Sequence, residues 1–295
     1  GDGVALYNVF DEIVSQFSLK EAVHGGYLVP IRAWTVRTAV DLDSVDYSRG
    51  DYVESQLAAV VDNGERNGQI IDAWRRHADG LKTLVFAVNK THAKSVTETF
   101  RKDGVTAMCL TEDCSRTERR LIFDYLRREP KAVVVNVGVV GEGADVPSIE
   151  CVILAAPTRS RTKLAQQLGR GTRLADGARD YEESVRLGKR HMTLLDVTDT
   201  TSRIGRDAVR VHDIWGLELR RDELVGETLD EAETRQALLL LAPNASERLD
   251  TVSQLIDLFG APPDGAIPAI ARLAWTYVSD TELDLFLPDQ ERVRL

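Results

Sequence analysis

From residue 83 to residue 197 the chain repeats one pattern: a short, continuous run of β-branched and aliphatic residues, then a longer segment whose apolar residues recur at helical spacing. The pattern predicts strands over 83–88, 105–110, 132–137, 151–155 and 192–197, and helices over 91–102, 115–128 and 160–169. A strand with one face in water alternates apolar and polar residues, whereas these runs are apolar throughout. They therefore belong inside a parallel sheet covered by helices on both faces. The expected fold class is α/β. Open sheets of this kind bind ligands beyond the carboxyl ends of their strands, and the glycines, arginines and asparagine that carry chemistry are expected there.

The flanks read differently. Residues 1–40 hold a helical pattern (Leu6, Val9, Phe10, Ile13, Phe17), then Gly25-Gly26, then a β-prone run over 34–38. Two helices follow within 51–78, parted near Asn63-Gly64, and read as an inserted hairpin in a helical segment spanning 41–80. The main α/β domain is placed at 81–205. Beyond it, 206–295 reads as an accessory region, with helical patterns over 231–241 and 249–259 broken at Ala261-Pro262-Pro263-Asp264-Gly265. Leu283, Leu285 and Leu287 then alternate with polar residues, as in a small β-meander that ends mid-pattern.

Composition narrows the class. A chain of 295 residues with 43% hydrophobic and 28% charged residues falls in the ordinary range for globular proteins. None of its apolar runs approaches the roughly 20 residues of a membrane helix, so no membrane partner is expected. The opening Gly1-Asp2-Gly3-Val4 has neither an initiator Met nor a leader-like segment, and the expectation is a cytoplasmic, excised fragment. Three cysteines without CxxC spacing suggest buried thiols rather than a zinc site or disulfides. The five histidines form no ligand or triad spacing and read as surface or capping residues.

The net charge of −10 argues at first against a nucleic-acid partner. Its distribution points the other way. From His212 onward there are seven arginines, no lysine and seventeen acidic residues, so the preceding part is formally neutral. Within 157–190 nine basic residues face four acidic ones, a local anion-attracting stripe.

That stripe contains Gln166-Gln167-Leu168-Gly169-Arg170-Gly171-Thr172-Arg173. Two guanidiniums three residues apart, spaced by glycines, suit capture of a γ-phosphate, because guanidinium forks match phosphate oxygens and stay charged at any working pH. The bland alternative is a basic helix terminus capped by Gly171. The stretch resembles motif VI (QRxGRxxR) of superfamily two helicases. Upstream, Thr83 to Lys90 (TLVFAVNK) is similar to motif IV, and Asn136 to Pro147 (NVGVVGEGADVP) to motif V, in the order found in the second, C-terminal RecA-like lobe of that family. The segment FDEIVSQFSLKEAVHGGYLVPI resembles the interlobe connection of excision-repair and restriction-type helicases, so 1–40 is read as that connection.

The resemblance implies roles. Arg170 and Arg173 would reach the γ-phosphate as arginine fingers, and Gln166 would position it or the attacking water. Gly143 and Asp145 would serve the nucleotide; Asn89, Lys90, Gly138, Gly141 and Thr158 would contact the nucleic-acid strand. Two positions depart from the pattern: Gln167 stands where Arg is usual, and Val137 where a hydroxyl often is. No residue is assigned to metal. A phosphate-gripping loop GxxxxGK[ST] is not in the sequence: the single Gly-Lys pair, Gly188-Lys189, has Arg190 after it and Glu183 in place of the first glycine. Asp11-Glu12 and Asp222-Glu223 imitate a DExx box but read as helix acids. ATP and Mg2+ are accordingly expected only in a complete two-lobe enzyme, whose N-terminal RecA-like lobe is the missing partner, with DNA favoured over RNA as the track and the chain alone inactive. A non-catalytic RecA-like module binding protein or nucleic acid is the alternative of a different class. A nucleotide-sugar enzyme is a third reading, weakened because no catalytic base lies beside Gly141 to Asp145.

Overall fold

The computed structural model describes residues 17–48, 50–138, 149–200, 208–217, 224–241, 275–279, 282–286 and 292–294. In chain order these residues form α1 (Leu19–His24), β1 (Ile31–Asp41), the short pair β2 (Tyr47–Ser48) and β3 (Asp51–Tyr52), α2 (Glu54–Val61) and α3 (Gly64–His77). The alternating part follows: β4 (Thr83–Phe86), α4 (Lys90–Lys102), β5 (Ala107–Leu110), α5 (Arg116–Arg128), β6 (Val133–Asn136), β7 (Cys151–Leu154), α6 (Arg161–Gly171), α7 (Tyr181–Arg186) and β8 (Met192–Thr200). Then come α8 (Val211–Trp215), β9 (Val225–Thr228), α9 (Leu229–Leu241) and the strands β10 (Trp275–Ser279), β11 (Glu282–Phe286) and β12 (Arg292–Arg294).

Seven strands make one sheet in the order β5-β6-β4-β7-β8-β1-β9. Every pairing is parallel except β1 with β9. The apolar strands are apolar because both faces are covered. Leu84, Phe86, Val134, Val152, Leu154 and Leu194 point into one core with Leu126 of α5, Leu164 and Leu168 of α6 and Trp215 of α8. Their chain neighbours Val85, Val133, Val135, Ile153 and Leu195 point into the other, against Ile70 and Trp74 of α3 and Val96 and Phe100 of α4. This period-two division between two helix layers is the α/β, RecA-like arrangement expected from the sequence.

The flanking segments join this body more closely than their sequence suggests. The β-prone run over 34–38, read as part of a leading connection, is the middle of an 11-residue strand paired on one side with β8 and on the other with β9. Nor is α3 a detached insertion. Its Ile70, Ile71 and Trp74 are buried on the sheet, and Arg66 makes a bidentate pair with Asp199 of β8 (Nε–Oδ1 2.7 Å, Nη2–Oδ2 2.8 Å), both side chains fully buried. Thr38 of β1 donates to the same carboxylate at 2.5 Å. The parting of α2 from α3 falls where expected, because Asn63 caps α3 by accepting from the Arg66 N–H at 2.8 Å. In the accessory region β10, β11 and β12 form an antiparallel three-stranded sheet, the predicted meander. The helical patterns near the start of the chain and over 249–259 lie outside the described residues.

Candidate nucleotide and nucleic-acid site

Two groups of site residues result, one at each end of α6. The first sits at the carboxyl ends of β4, β6 and β7. Where β4 ends, Asn89 caps α4: its Oδ1 accepts the His92 N–H at 3.0 Å. His92 returns the contact, its Nδ1 accepting the Val88 N–H at 3.2 Å. That acceptor role places the ring proton on Nε2, and burial pushes the imidazole pKa down to about 4, with the nearby Arg66 charge adding to the effect. His92 is thus a neutral brace for the turn carrying Asn89 and Lys90. Lys90 itself reaches Glu112 and Asp113, both at 2.7 Å, and these hydrogen bonds raise its pKa. At the end of β6, Gly138 has φ +65°, a left-handed conformation that a side chain would strain.

Thr158, after β7, is only 2% exposed, and its hydroxyl donates to Asp51 at 2.7 Å. The Asp51 carboxylate also accepts the Arg159 N–H at 2.7 Å and lies 3.3 Å from the Lys163 ammonium. Burial alone would raise the Asp51 carboxyl, but these three partners, with the Tyr52 N–H that donates to it at 2.9 Å, outweigh it and hold the pKa below its ordinary value. Arg159 stacks over the Tyr47 ring at 4.3 Å, so the β2–β3 pair is pinned to the start of α6.

The second group lies at the other end of that helix. Leu164, Gln167, Leu168 and Gly171 form its buried face, at the i, i+3, i+4, i+7 spacing of one helical side. Gln166 and Arg170, at i and i+4, fall on the opposite side, Gln166 exposed and Arg170 half-buried, and Arg173, exposed, follows just past the helix end. Partial burial lowers the Arg170 pKa, and the Arg173 charge lowers it further. Gly171 does not cap the helix, which continues to it and ends on Thr172 in a right-handed conformation. It is required for contact instead. A Cβ there would come 2.0 Å from Met192 Sδ and 2.7 Å from Val152 Cγ2.

Those contacts overturn one expectation. Met192 begins β8, Val152 lies near the start of β7, and the Thr172 carbonyl accepts the Val29 N–H just ahead of β1 at 2.8 Å. The arginines are therefore at the amino ends of the strands, whereas Asn89, Gly138 and Thr158 are at the carboxyl ends. The reason is the crossover itself: α6 leaves β7 at the carboxyl edge and runs back antiparallel to it, about 16 Å over 11 residues.

Gly141, Gly143 and Asp145 lie outside the described residues, as do Asp11, Glu12, Asp222 and Glu223. The histidine reading needs correction at two positions, since His92 and His212 are fully buried. Sequence reasoning also passed over Asp51 and Lys189. Asp51 carries no motif, and its partner Thr158 is more than a hundred residues away. Lys189 was visible only as half of a failed phosphate loop. Its ammonium, 4% exposed as a residue, donates to the carbonyls of Gly171 at 2.9 Å and Arg173 at 2.6 Å. The cysteines match their reading in part: Cys151 is buried, its thiol pushed up to about 12 by burial, while Cys109 and Cys114 are half-buried.

Among the described residues no group of three or more His, Cys, Asp or Glu side chains is placed to hold a metal ion, and no helix is long and apolar enough to cross a membrane. Residues 65–175 match the helicase conserved C-terminal domain. The chain is 31% identical over 176 residues to a putative ATP-dependent helicase, IRC3, of Saccharomyces cerevisiae, covering 59% of this chain and 26% of that one. It is 36% identical over 107 residues to UvrABC system protein B of Nitratidesulfovibrio vulgaris, covering 35% of this chain and 16% of the other. This chain thus spans about a quarter or less of the length of these two relatives. Among solved structures, the E. coli DEAD-box protein SrmB aligns over 58% of this chain and 78% of its own at 16% identity, with a TM-score of 0.40.

Proposed function

We propose that this chain, whose residues 65–175 match the helicase conserved C-terminal domain, is the second motor lobe of an ATP-driven superfamily two translocase or helicase acting on nucleic acid, DNA in preference to RNA. The observation that carries the reading is the placement of Gln166 and Arg170 on the outer side of α6 and of Arg173 just past its end, with the Arg173 charge felt at Arg170. A triphosphate held by another lobe and brought against them would be stabilised by both guanidiniums, because charge develops on the γ-phosphoryl oxygens as water attacks phosphorus and the bond to the β–γ bridging oxygen breaks, releasing ADP and inorganic phosphate.

In this reading Arg170 and Arg173 are the arginine fingers, and Gln166 orients the phosphoryl group or the water. The motif resemblance assigns Gly143 and Asp145 to the nucleotide, and Asn89, Lys90, Gly138, Gly141 and Thr158 to the nucleic-acid strand. Mg2+ and the triphosphate are gripped by the first lobe, whose phosphate loop and DExx acids this sequence does not contain. Because α6 has its first turn at the strand-contacting group and its last at the arginines, a shift of this one rigid helix moves both together.

The test is direct. Residues 1–295, purified alone and supplied with Mg-ATP and single-stranded DNA, are expected to show no ATP turnover. Multiple turnover by this chain alone, abolished by Arg173→Ala, would place a whole active site within it and overturn the split-site reading.

A further inference from the structure

We propose that Lys189 is a positioning residue for the arginine turn: its buried ammonium fixes the backbone at the end of α6 so that Arg170 and Arg173 meet the triphosphate in one orientation. The inference rests on the motor-lobe reading above and names a residue which that reading does not include.

The last carbonyls of a helix have no intrahelical donor, and they carry the negative end of its dipole. At the end of α6 the carbonyl of Gly171, its last residue, and that of Arg173, two residues beyond, are both taken by a single Lys189 Nζ at 2.9 and 2.6 Å. A second side chain completes the clamp. The Ser184 hydroxyl of α7, fully buried, accepts the Ala175 N–H at 2.9 Å and donates to the Lys189 carbonyl at 2.8 Å. The Lys189 N–H donates back to the Ser184 carbonyl at 2.9 Å. Gly188, at φ +98°, makes the sharp turn that brings Lys189 under the helix end. Residues 171, 173 and 175 are thus each held by a hydrogen bond from the 184–189 turn, and Arg173 lies between two of the anchor points.

Stability alone does not account for a lysine there. Burying an ammonium is costly even when it is hydrogen-bonded, and an apolar side chain of similar length would avoid that cost but leave the Gly171 and Arg173 carbonyls without a donor, so the two costs oppose each other. What the ammonium adds is direction: two carbonyl oxygens converge on one point, which sets the path of the chain between them. For an arginine finger that path matters, because a displacement of about 1 Å can cost on the order of 10²-fold in rate.

The experiment uses the full-length protein, comparing Lys189→Met, Arg173→Ala and the double variant by nucleic-acid-stimulated ATP turnover, with thermal melting to verify folding. The expected result for Lys189→Met is a fall in kcat on the order of 10²-fold, with KM for ATP and affinity for a labelled single-stranded oligonucleotide little changed. The double variant should be no slower than Arg173→Ala, since a misplaced arginine and an absent one lose the same interaction. Wild-type kcat in a folded Lys189→Met, alongside an inactive Arg173→Ala, would remove the clamp and leave the motor reading standing. Normal turnover in Arg173→Ala would instead remove the reading itself. If Lys189→Met does not fold, Ser184→Ala tests the same clamp: a lower kcat at constant KM supports it, and an unchanged kcat overturns it.

Discussion

Two glycines two residues apart in α6 serve opposite physical ends. Gly169 has open space where a Cβ would go, whereas Gly171 is pressed against Met192 and Val152. Gly169→Ala is therefore expected to stabilise the fold by about 0.5–1 kcal/mol, as a helix-interior glycine is replaced by the best helix former. Gly171→Ala should destabilise it by about 1–3 kcal/mol through overpacking. Urea unfolding of the two variants reads both, and equal effects would refute the packing assignment. Lys189 gives a pH dependence. Burial lowers its pKa to about 8 from an ordinary 10.5, against the opposing pull of Glu150 and Asp176, with Lys82 and Arg173 adding to the lowering. Between those two values the unfolded chain holds the proton and the folded chain has released it, so stability from this group rises with pH across the window and is flat below it. Lys189→Met should abolish that rise in urea midpoints taken from pH 8 to 10.5. The resemblance to motif VI was legible in the sequence because its spacing is local. The residues that hold it were not, since a carboxylate or ammonium that pairs across the fold leaves no pattern in a single chain.

At the scale of elements, the alternating core was readable from residue 83 onward because each strand is apolar on both faces, which only a doubly covered sheet can satisfy. At β1 the strand character over 34–38 was read, but its full length and its place in the main sheet were not, because its sequence (IRAWTVRTAVD) is half polar. It carries polar residues because its outer neighbour is the short, bulged antiparallel β9 rather than another buried strand, and because Thr35 and Thr38 donate to or accept from groups across the sheet. The position of the arginines relative to the strand ends was missed for a related reason: helix direction follows from the crossover and not from the motif. The buried Arg66–Asp199 pair joins α3 to β8 and, through Thr38, to β1. Breaking it by Asp199→Ala should cost about 3–5 kcal/mol, because the guanidinium is left buried without its partner. A loss below about 1 kcal/mol in thermal or chemical unfolding would contradict that account.

For the whole molecule, charge is segregated rather than merely negative. Acidic residues dominate from His212 onward, while the stretch carrying α6 is basic. Contacts to a strand backbone should therefore be sensitive to salt despite the net charge of −10. Lys90→Ala is expected to weaken oligonucleotide binding uniformly across sequences and to reduce the slope of log affinity against log salt by about 1. An unchanged slope in fluorescence anisotropy would remove Lys90 from the track. Carboxylates already hold the sites a phosphate would use, Asp51 at Thr158 and Glu112 with Asp113 at Lys90, so strand binding in this account is an exchange of partners. The central claim is that the far end of α6 completes an ATP site gripped elsewhere, and the most direct measurement is nucleic-acid-stimulated ATP turnover by the full-length protein carrying Arg170→Ala. The account predicts a loss of about 10³-fold or more with ATP binding and thermal stability retained; turnover near the wild-type rate would contradict it.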